Sequence, residues 1–238
     1  MLKMNLFAIS DLHLPLGVNK PMNIFGGWDN YVGRIEKNWK KLVNDEDTVV
    51  IGGDISWASS LNEAKPDFEF INSLPGKKII LKGNHDYWWG TANKINEFLE
   101  ENNFDTVNIL HNNCYSDGNL ALCGTRGWLY DSTGEKDQKI ILREAGRLEI
   151  SVKKALDAGV SPIVFLHYPP AYSEFVCKEI IEVLQKYQLN TVYYGHIHGL
   201  GVYNIIDSYD GIKMRLTACD GINFTPMFIS QCGKFEQI

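Results

Sequence analysis

The chain has 238 residues, 45% of them hydrophobic and 22% charged, a balance that suits a folded globular protein and not a disordered or fibrous one. This length suits one α/β core, so a single domain over residues 1–238 is expected. The net charge of −6 gives no support to a polyanion-coating role and argues against long nucleic acid as a principal partner, because such partners are held by broad positive surfaces.

In chain order, Asn5–Ser10 reads as a buried strand. The apolar start is too short for a signal core and runs straight into Asp11. Residues Leu14–Asn30, with Pro15, Pro21, Gly26, Gly27 and Trp28, form a long loop that reads equally as a lid or as a packed surface loop. Asp29–Val43 reads as a helix with Asp29 as candidate N-cap and apolar positions at Val32, Ile35, Trp39 and Leu42. Thr48–Ile51 and Lys78–Leu81 read as strands closed by Gly52-Gly53 and Gly83. Helical patterns follow at Ala92–Glu101 and Asp137–Ala158, then a strand at Pro162–Leu166, a helix at Glu174–Tyr187 and a strand at Thr191–Tyr194. After His198 the pattern changes to strands alone, at Val202–Ile206, Lys213–Ala218 and Met227–Ser230, expected to complete a second sheet. This alternation implies sheets flanked by helices.

No stretch approaches the ~18 apolar residues that span a bilayer, so no membrane association is expected. The five cysteines, Cys114, Cys123, Cys177, Cys219 and Cys232, are scattered and never C-x-x-C. That suits free thiols in a reducing compartment, with the cytoplasm as the simplest reading.

Five short motifs stand where strands end: Asp11-Leu12-His13, Gly52-Gly53-Asp54, Gly83-Asn84-His85-Asp86, Phe165-Leu166-His167 and Gly195-His196-Ile197-His198. They hold five of the six histidines. Strand ends of open α/β sheets are where loops converge on one crevice. Imidazole, carboxylate and amide oxygen favour manganese, iron or zinc over copper held by thiolate. Asp-x-His lets two ligands one residue apart turn toward one ion, and His196 with His198 repeats the device.

On these blocks, all present and in order from Asp11 to His198, the sequence resembles the calcineurin-like metallophosphoesterase superfamily. The resemblance implies a four-layer α/β/β/α sandwich of two mixed sheets flanked by helices, with the metal site at the strand ends. It implies two divalent cations (Mn, Fe or Zn, manganese being favoured in vitro). Asp11, His13 and His198 would bind one ion, and Asn84, His167 and His196 the other, with Asp54 bridging them. It further implies a metal-bound hydroxide as nucleophile, His85 as the group that contacts the phosphate and protonates the leaving group, and Asp86 as the residue orienting His85. The implied reaction is hydrolysis of a phosphodiester or phosphomonoester on a small molecule or nucleotide. A nuclease and a non-catalytic metal-binding module are the alternatives. The protein-phosphatase branch carries an arginine after its second block; Gly53-Asp54-Ile55-Ser56-Trp57-Ala58 lacks it, which counts against a phosphoprotein substrate.

Outside the blocks, His111 reads as a turn residue. Trp57, Trp88, Trp89, Trp128 and Tyr130 read either as an aromatic rim that stacks on a flat leaving group, with Arg126 on a phosphate, or as rings packing loops over the sheet edge.

Overall fold

The computed structural model describes residues 4–128 and 135–238. Its elements run β1 (Met4–Ile9), α1 (Tyr31–Leu42), β2 (Thr48–Ile51), α2 (Leu61–Ser73), β3 (Lys77–Ile80), α3 (Ala92–Glu101), β4 (Val107–Ile109), β5 (Tyr115–Ser116), β6 (Leu120–Thr125), α4 (Glu135–Asp157), β7 (Ser161–Leu166), β8 (Ala171–Tyr172), β9 (Phe175–Val176), α5 (Lys178–Lys186), β10 (Thr191–Tyr194), β11 (Ser208–Tyr209), β12 (Ile212–Leu216), β13 (Met227–Cys232) and β14 (Glu236–Gln237). One sheet has the order β13-β1-β2-β3-β4 and the other β11-β12-β10-β7-β6-β5-β14, with β8 and β9 forming a separate hairpin. Both sheets are mixed: the first is parallel but for β13 at one edge, and the second is parallel in the middle with antiparallel partners at both edges.

The period-2 alternation of each strand builds four layers. Phe7, Ile9, Val49, Ile51 and Ile80 face α1–α3 and meet Trp39, Phe68 and Ile95. The residues between them (Leu6, Ala8, Val50 and Ile79) face the other way and pack on Leu122 and Phe165 of the second sheet. That sheet turns Cys123, Val164, Leu166, Val192 and Tyr194 toward Leu148 and Val152 of α4 and Ile180 and Leu184 of α5. The result is the expected α/β/β/α sandwich. Among the described residues no helix is long and apolar enough to cross a membrane.

Register places the site. Ile9 is level with Ile51 and Ile51 with Ile80, so three chains leave the first sheet at one height. Thr125, Leu166, Tyr194 and Leu216 do the same in the second. A parallel bridge from Ser10 to Ala218 joins the two sheets where these chains leave. The Ser10 amide donates to Thr217 O at 2.8 Å and Cys219 N–H donates back to Ser10 O at 3.0 Å.

Four expectations need correction, the first being the helix expected at Glu174–Tyr187, which begins only at Lys178 because Phe175–Val176 pair with Ala171–Tyr172 as a hairpin. Val202–Ile206 is not a strand: residues Gly199–Asn204 form a 3-10 turn. The last long strand does not join the second sheet; β13 pairs antiparallel with β1 on the edge of the first. Helix α1 starts after Asn30, which has left-handed backbone and makes no side-chain cap bond, so Asp29 is not its N-cap. Tyr130 lies outside the described residues.

Candidate metal centre

The ligand blocks arrive on strained backbone. Asp11, His13, Asp54 and His196 have φ of 59°, 46°, 51° and 69°, a region that costs non-glycine residues roughly 1–3 kcal/mol each and persists only where the surroundings enforce it. Here the enforcement is visible. Asp11 N–H donates to Gly53 O and His13 N–H to Asp54 O, both at 2.9 Å, extending the β1–β2 pairing past the strand ends. Tyr31 Oη–H holds His13 O at 2.6 Å, and Cys219 Sγ–H holds Asp11 O at 2.9 Å. Both Asp11 carboxylate oxygens accept the His196 amide, at 3.0 and 2.9 Å. Gly83 is required by close approach: a Cβ there would lie 2.1 Å from Asp54 Oδ1 and 2.2 Å from its amide nitrogen.

Two ligand clusters result. Asp11, His13 and His198 bring one donor atom each within 4.8 Å of one another, and so do Asp54, His167 and His196. Ligands at about 2.0–2.2 Å from a shared ion have donor–donor spacings within this range. Asp54 Oδ2 stands between the clusters, 3.8 Å from His13 Nε2 and 3.6 Å from His167 Nε2. Asn84 Oδ1 joins the second, 2.6 Å from His167 Nε2 and 2.9 Å from His196 Nδ1.

The donor chemistry fits a cation. His13 Nδ1 and Nε2 and Asp54 Oδ2 are buried with no hydrogen-bond partner, a costly state unless something else satisfies them. His167 Nδ1 lies 3.0 Å from the Gly52 carbonyl, which only accepts, so Nδ1 carries the proton and Nε2 presents a lone pair. That lone pair then faces the Asn84 amide oxygen, another acceptor. Two acceptors facing each other at 2.6 Å would be reconciled by a cation that both atoms ligate.

Electrostatics agree. Burial and the other histidines hold His13 well below its ordinary range and His196 down to about 2. Burial holds His167 down to about 3, despite its bond to Gly52. These imidazoles are therefore neutral donors. Burial, then Asp54, pushes Asp11 well up, and burial pushes Asp54 up to about 6 against the His85 amide. A cation held there would relieve both carboxylates.

His85 is half-buried beside the clusters, its ring 4.7 Å from Trp57 and 5.7 Å from His13. Asp86 does not orient it. Asp86 is fully buried, and its oxygens accept the amides of Asp54 (2.9 Å), Ile55 (2.8 Å) and Gly83 (2.7 Å) and the Trp88 indole N–H (3.1 Å). It clamps the second block to the third. Burial and Asp54 push it up to about 7, against the pull of those amides.

The aromatic residues divide. Trp57 stacks on His13 at 4.5 Å and 21°, at the centre itself. Trp88 is not a rim residue: it is 3% exposed and packs edge-on against Phe68. Trp89 is buried, and Trp128 packs on Tyr168 under the Arg126 guanidinium. The loop after the first block is anchored by buried Leu14, Met22 and Trp28, and Trp28 points its edge at His13 and His198. His111 stays apart from both clusters and lines a separate cavity with Arg126.

Sequence reading missed Asp220, whose negative charge acts on His198 and Asp11 and whose carboxylate accepts the Gly199 amide at 2.7 Å. The same signal, an aspartate just past a strand end, was present at Cys219-Asp220-Gly221. It also missed a cavity of about 610 Å³ that includes His198 and Trp28, with Phe25, Tyr203, Phe224 and Arg34 in its walls.

Two carboxylate–imidazole clusters that could each hold a metal ion, at the joined ends of two stacked sheets, mark a metal-centre protein of the α/β/β/α class. The family model for calcineurin-like phosphoesterases matches residues 4–200, and the chain belongs to that family of metal-dependent phosphoester hydrolases. Comparison with curated proteins gives no match. Among solved structures, the chain is similar to AQ665, a protein of unknown function from Aquifex aeolicus (18% identity, 94% of this chain and 95% of that one, TM-score 0.51). It is also similar to TT1561 of Thermus thermophilus (10% identity, 99% and 98%, TM-score 0.57). A looser likeness is to a phosphopantetheinyl hydrolase from Mycobacterium tuberculosis (13% identity, 99% and 96%, TM-score 0.48). The first two likenesses show the fold alone.

Proposed function

We propose that this protein hydrolyses a small-molecule phosphoester at a centre of two divalent cations. Asp11, His13 and His198 hold one and Asn84, His167 and His196 the other, with Asp54 shared. The observation that carries this reading is the position of Asp54 Oδ2, buried, without a hydrogen-bond partner, and within 4 Å of a histidine from each cluster. When bound, such a pair of cations activates water and neutralises charge on the phosphoryl group.

The chain's own residues do the rest. His85, half-buried at the mouth, is the one histidine of the blocks outside both clusters, and it donates a proton to the departing oxygen. Trp57 wedges between His13 and His85 and fixes both rings. The cavity beside His198, walled by Phe25, Trp28, Tyr203 and Phe224, suits a flat or apolar leaving group.

The test uses protein stripped of metal and reloaded with manganese, acting on bis(p-nitrophenyl) phosphate and p-nitrophenyl phosphate. Metal-restored cleavage is expected, and the preferred substrate separates diesterase from monoesterase. No cleavage of either with metal bound would contradict the reading. The His85→Ala variant should lose about 10²–10⁴-fold in turnover while retaining both ions; full activity would remove His85 from the proposed role.

A further inference from the structure

A second cavity, of about 350 Å³, lies away from the aromatic one and has a different chemistry. Four cationic side chains reach it: Lys82, Arg126, Arg143 and Arg147. Its one carboxylate, Glu144, is 1% exposed and already engaged. Arg147 Nη1 is 2.7 Å and Arg143 Nε 3.6 Å from Glu144 Oε1, and Thr125 Oγ1–H donates to Oε2 at 2.6 Å. Neither Lys82 nor Arg126 forms an ion pair among the described residues; Lys82 reaches only the Trp89 carbonyl, at 3.5 Å, and Arg126 lies over the Trp128 ring. Burial and Arg147 hold His111, in the cavity wall, below its ordinary range, so it adds no compensating anion and little charge.

Three of the four cations are half-buried against a single carboxylate, so the cavity carries an excess of positive charge that a bound anion would offset. One unpaired donor and one unpaired acceptor, Asn112 Oδ1, also line the cavity. Trp89 is 6% exposed, lines the cavity, and has an indole N–H buried without a partner. The cavity wall includes Thr91 and Ala92, the N-cap and first residue of the ten-residue helix α3, whose positive end favours the same ligand.

The cavity is coupled to the metal centre from both sheets. Lys82 precedes Asn84 by two residues on the exit from β3. The Arg126 carbonyl accepts the amides of His167 (3.1 Å) and Tyr168 (2.9 Å) on the exit from β6, and its guanidinium acts on Asp54 and His167.

We infer that this cavity is a subsite for a second anionic group, a phosphate, carried by the same substrate whose phosphoester reaches the metal centre. The inference rests on the hydrolase reading for its meaning, but its binding test does not. Guanidinium donors suit the planar, multidentate recognition of phosphate. A substrate carrying two phosphates, one cleaved and one held, satisfies both sites at once.

Two measurements decide. In the first, metal-free protein kept in chelator is titrated calorimetrically with inorganic pyrophosphate, in the wild type and in Arg143→Ala and Lys82→Ala, each checked for an unchanged circular dichroism spectrum. Wild type should bind, and each variant should weaken binding at least about tenfold, the scale of one charge-assisted hydrogen bond. No binding by wild type, or equal binding by all three, overturns the subsite. In the second, manganese-loaded enzyme is given a nucleoside 3′,5′-bisphosphate and the matching 5′-monophosphate. The kcat/KM ratio should favour the bisphosphate by about tenfold or more in wild type and approach one in Arg143→Ala; a ratio unmoved by the variant overturns it. If neither chromogenic ester is cleaved while metal-free protein binds pyrophosphate as stated, the hydrolase reading fails and the anion site stands. If the esters are cleaved and pyrophosphate does not bind, the subsite alone fails.

Discussion

At the scale of single residues, chemistry was legible and partnership was not. The residue types Asp11, His13, Asp54, Asn84, His167, His196 and His198 announce a metal site because so few functions need that mixture at strand ends. The partner of Asp86 was hidden, because neighbours in sequence pointed to His85 whereas folding brings the amides of Asp54 and Ile55, more than thirty residues earlier, to its oxygens. Asp86→Asn should therefore behave as a clamp lesion. An amide nitrogen would face backbone donors, at a cost of roughly 1–3 kcal/mol, and manganese affinity should fall as the Asp54 loop shifts. A Tm drop together with weaker metal binding is expected; a changed pH profile of turnover with unchanged Tm and metal affinity would restore the His85-orienting role. A second prediction concerns pH. Burial lifts Asp54 from an ordinary 3.8 to about 6, so the metal-free fold favours the protonated carboxyl. The stability this gives is complete below about 4 and is lost as pH rises through about 6. A cation binds the ionised form, so the Tm gain from manganese should grow across the same window. A gain that is flat or shrinks from pH 4 to 7 would contradict the burial of an ionisable ligand there.

At the scale of elements, the sequence reading succeeded where apolar runs are strong and short, as in β1, β2, β3, β7 and β10, and it placed α1 and α3 within two residues or fewer at each end. It passed over α2, where Pro66 interrupts the pattern, although Ala64, Phe68 and Ile71 keep one buried stripe and Ser60 caps the start by accepting the Glu63 amide. It also missed β4 to β6, which are short or glycine-bearing. The strand expected at Val202–Ile206 fails for a physical reason: His198 must turn toward Asp11 and His13, and the chain leaves that ligand in a tight 3-10 turn. Phe68 tests whether α2 matters to the core. It is fully buried and meets Trp88, Phe98 and Phe104 at centroid distances of 5.0, 5.4 and 6.1 Å. Phe68→Ala should cost roughly 3–5 kcal/mol in urea unfolding. A loss below about 1 kcal/mol, less than burial alone would give, would show that the helix packs loosely on the first sheet.

At the scale of the whole molecule, layer order and site location were legible together, because alternating strands and helices with all chemistry at strand exits leave few arrangements open. What lay beyond reach was the joining of the sheets: the Ser10–Ala218 bridge and the return of β13 to β1 depend on contacts more than two hundred residues apart. Of the two cavities, one is aromatic and borders His198; the other is cationic and takes Lys82 from the exit of β3 and Arg126 from the exit of β6. The central claim is that two ions, sharing Asp54, are together needed for phosphoester cleavage. The most direct test titrates manganese into metal-free protein while bound metal and bis(p-nitrophenyl) phosphate cleavage are followed in the same samples. The account predicts two ions per chain, with activity rising only as the second is bound, and loss of both metal and activity in Asp54→Ala. Full activity at one ion per chain, or Asp54→Ala holding two ions at wild-type affinity, would contradict it.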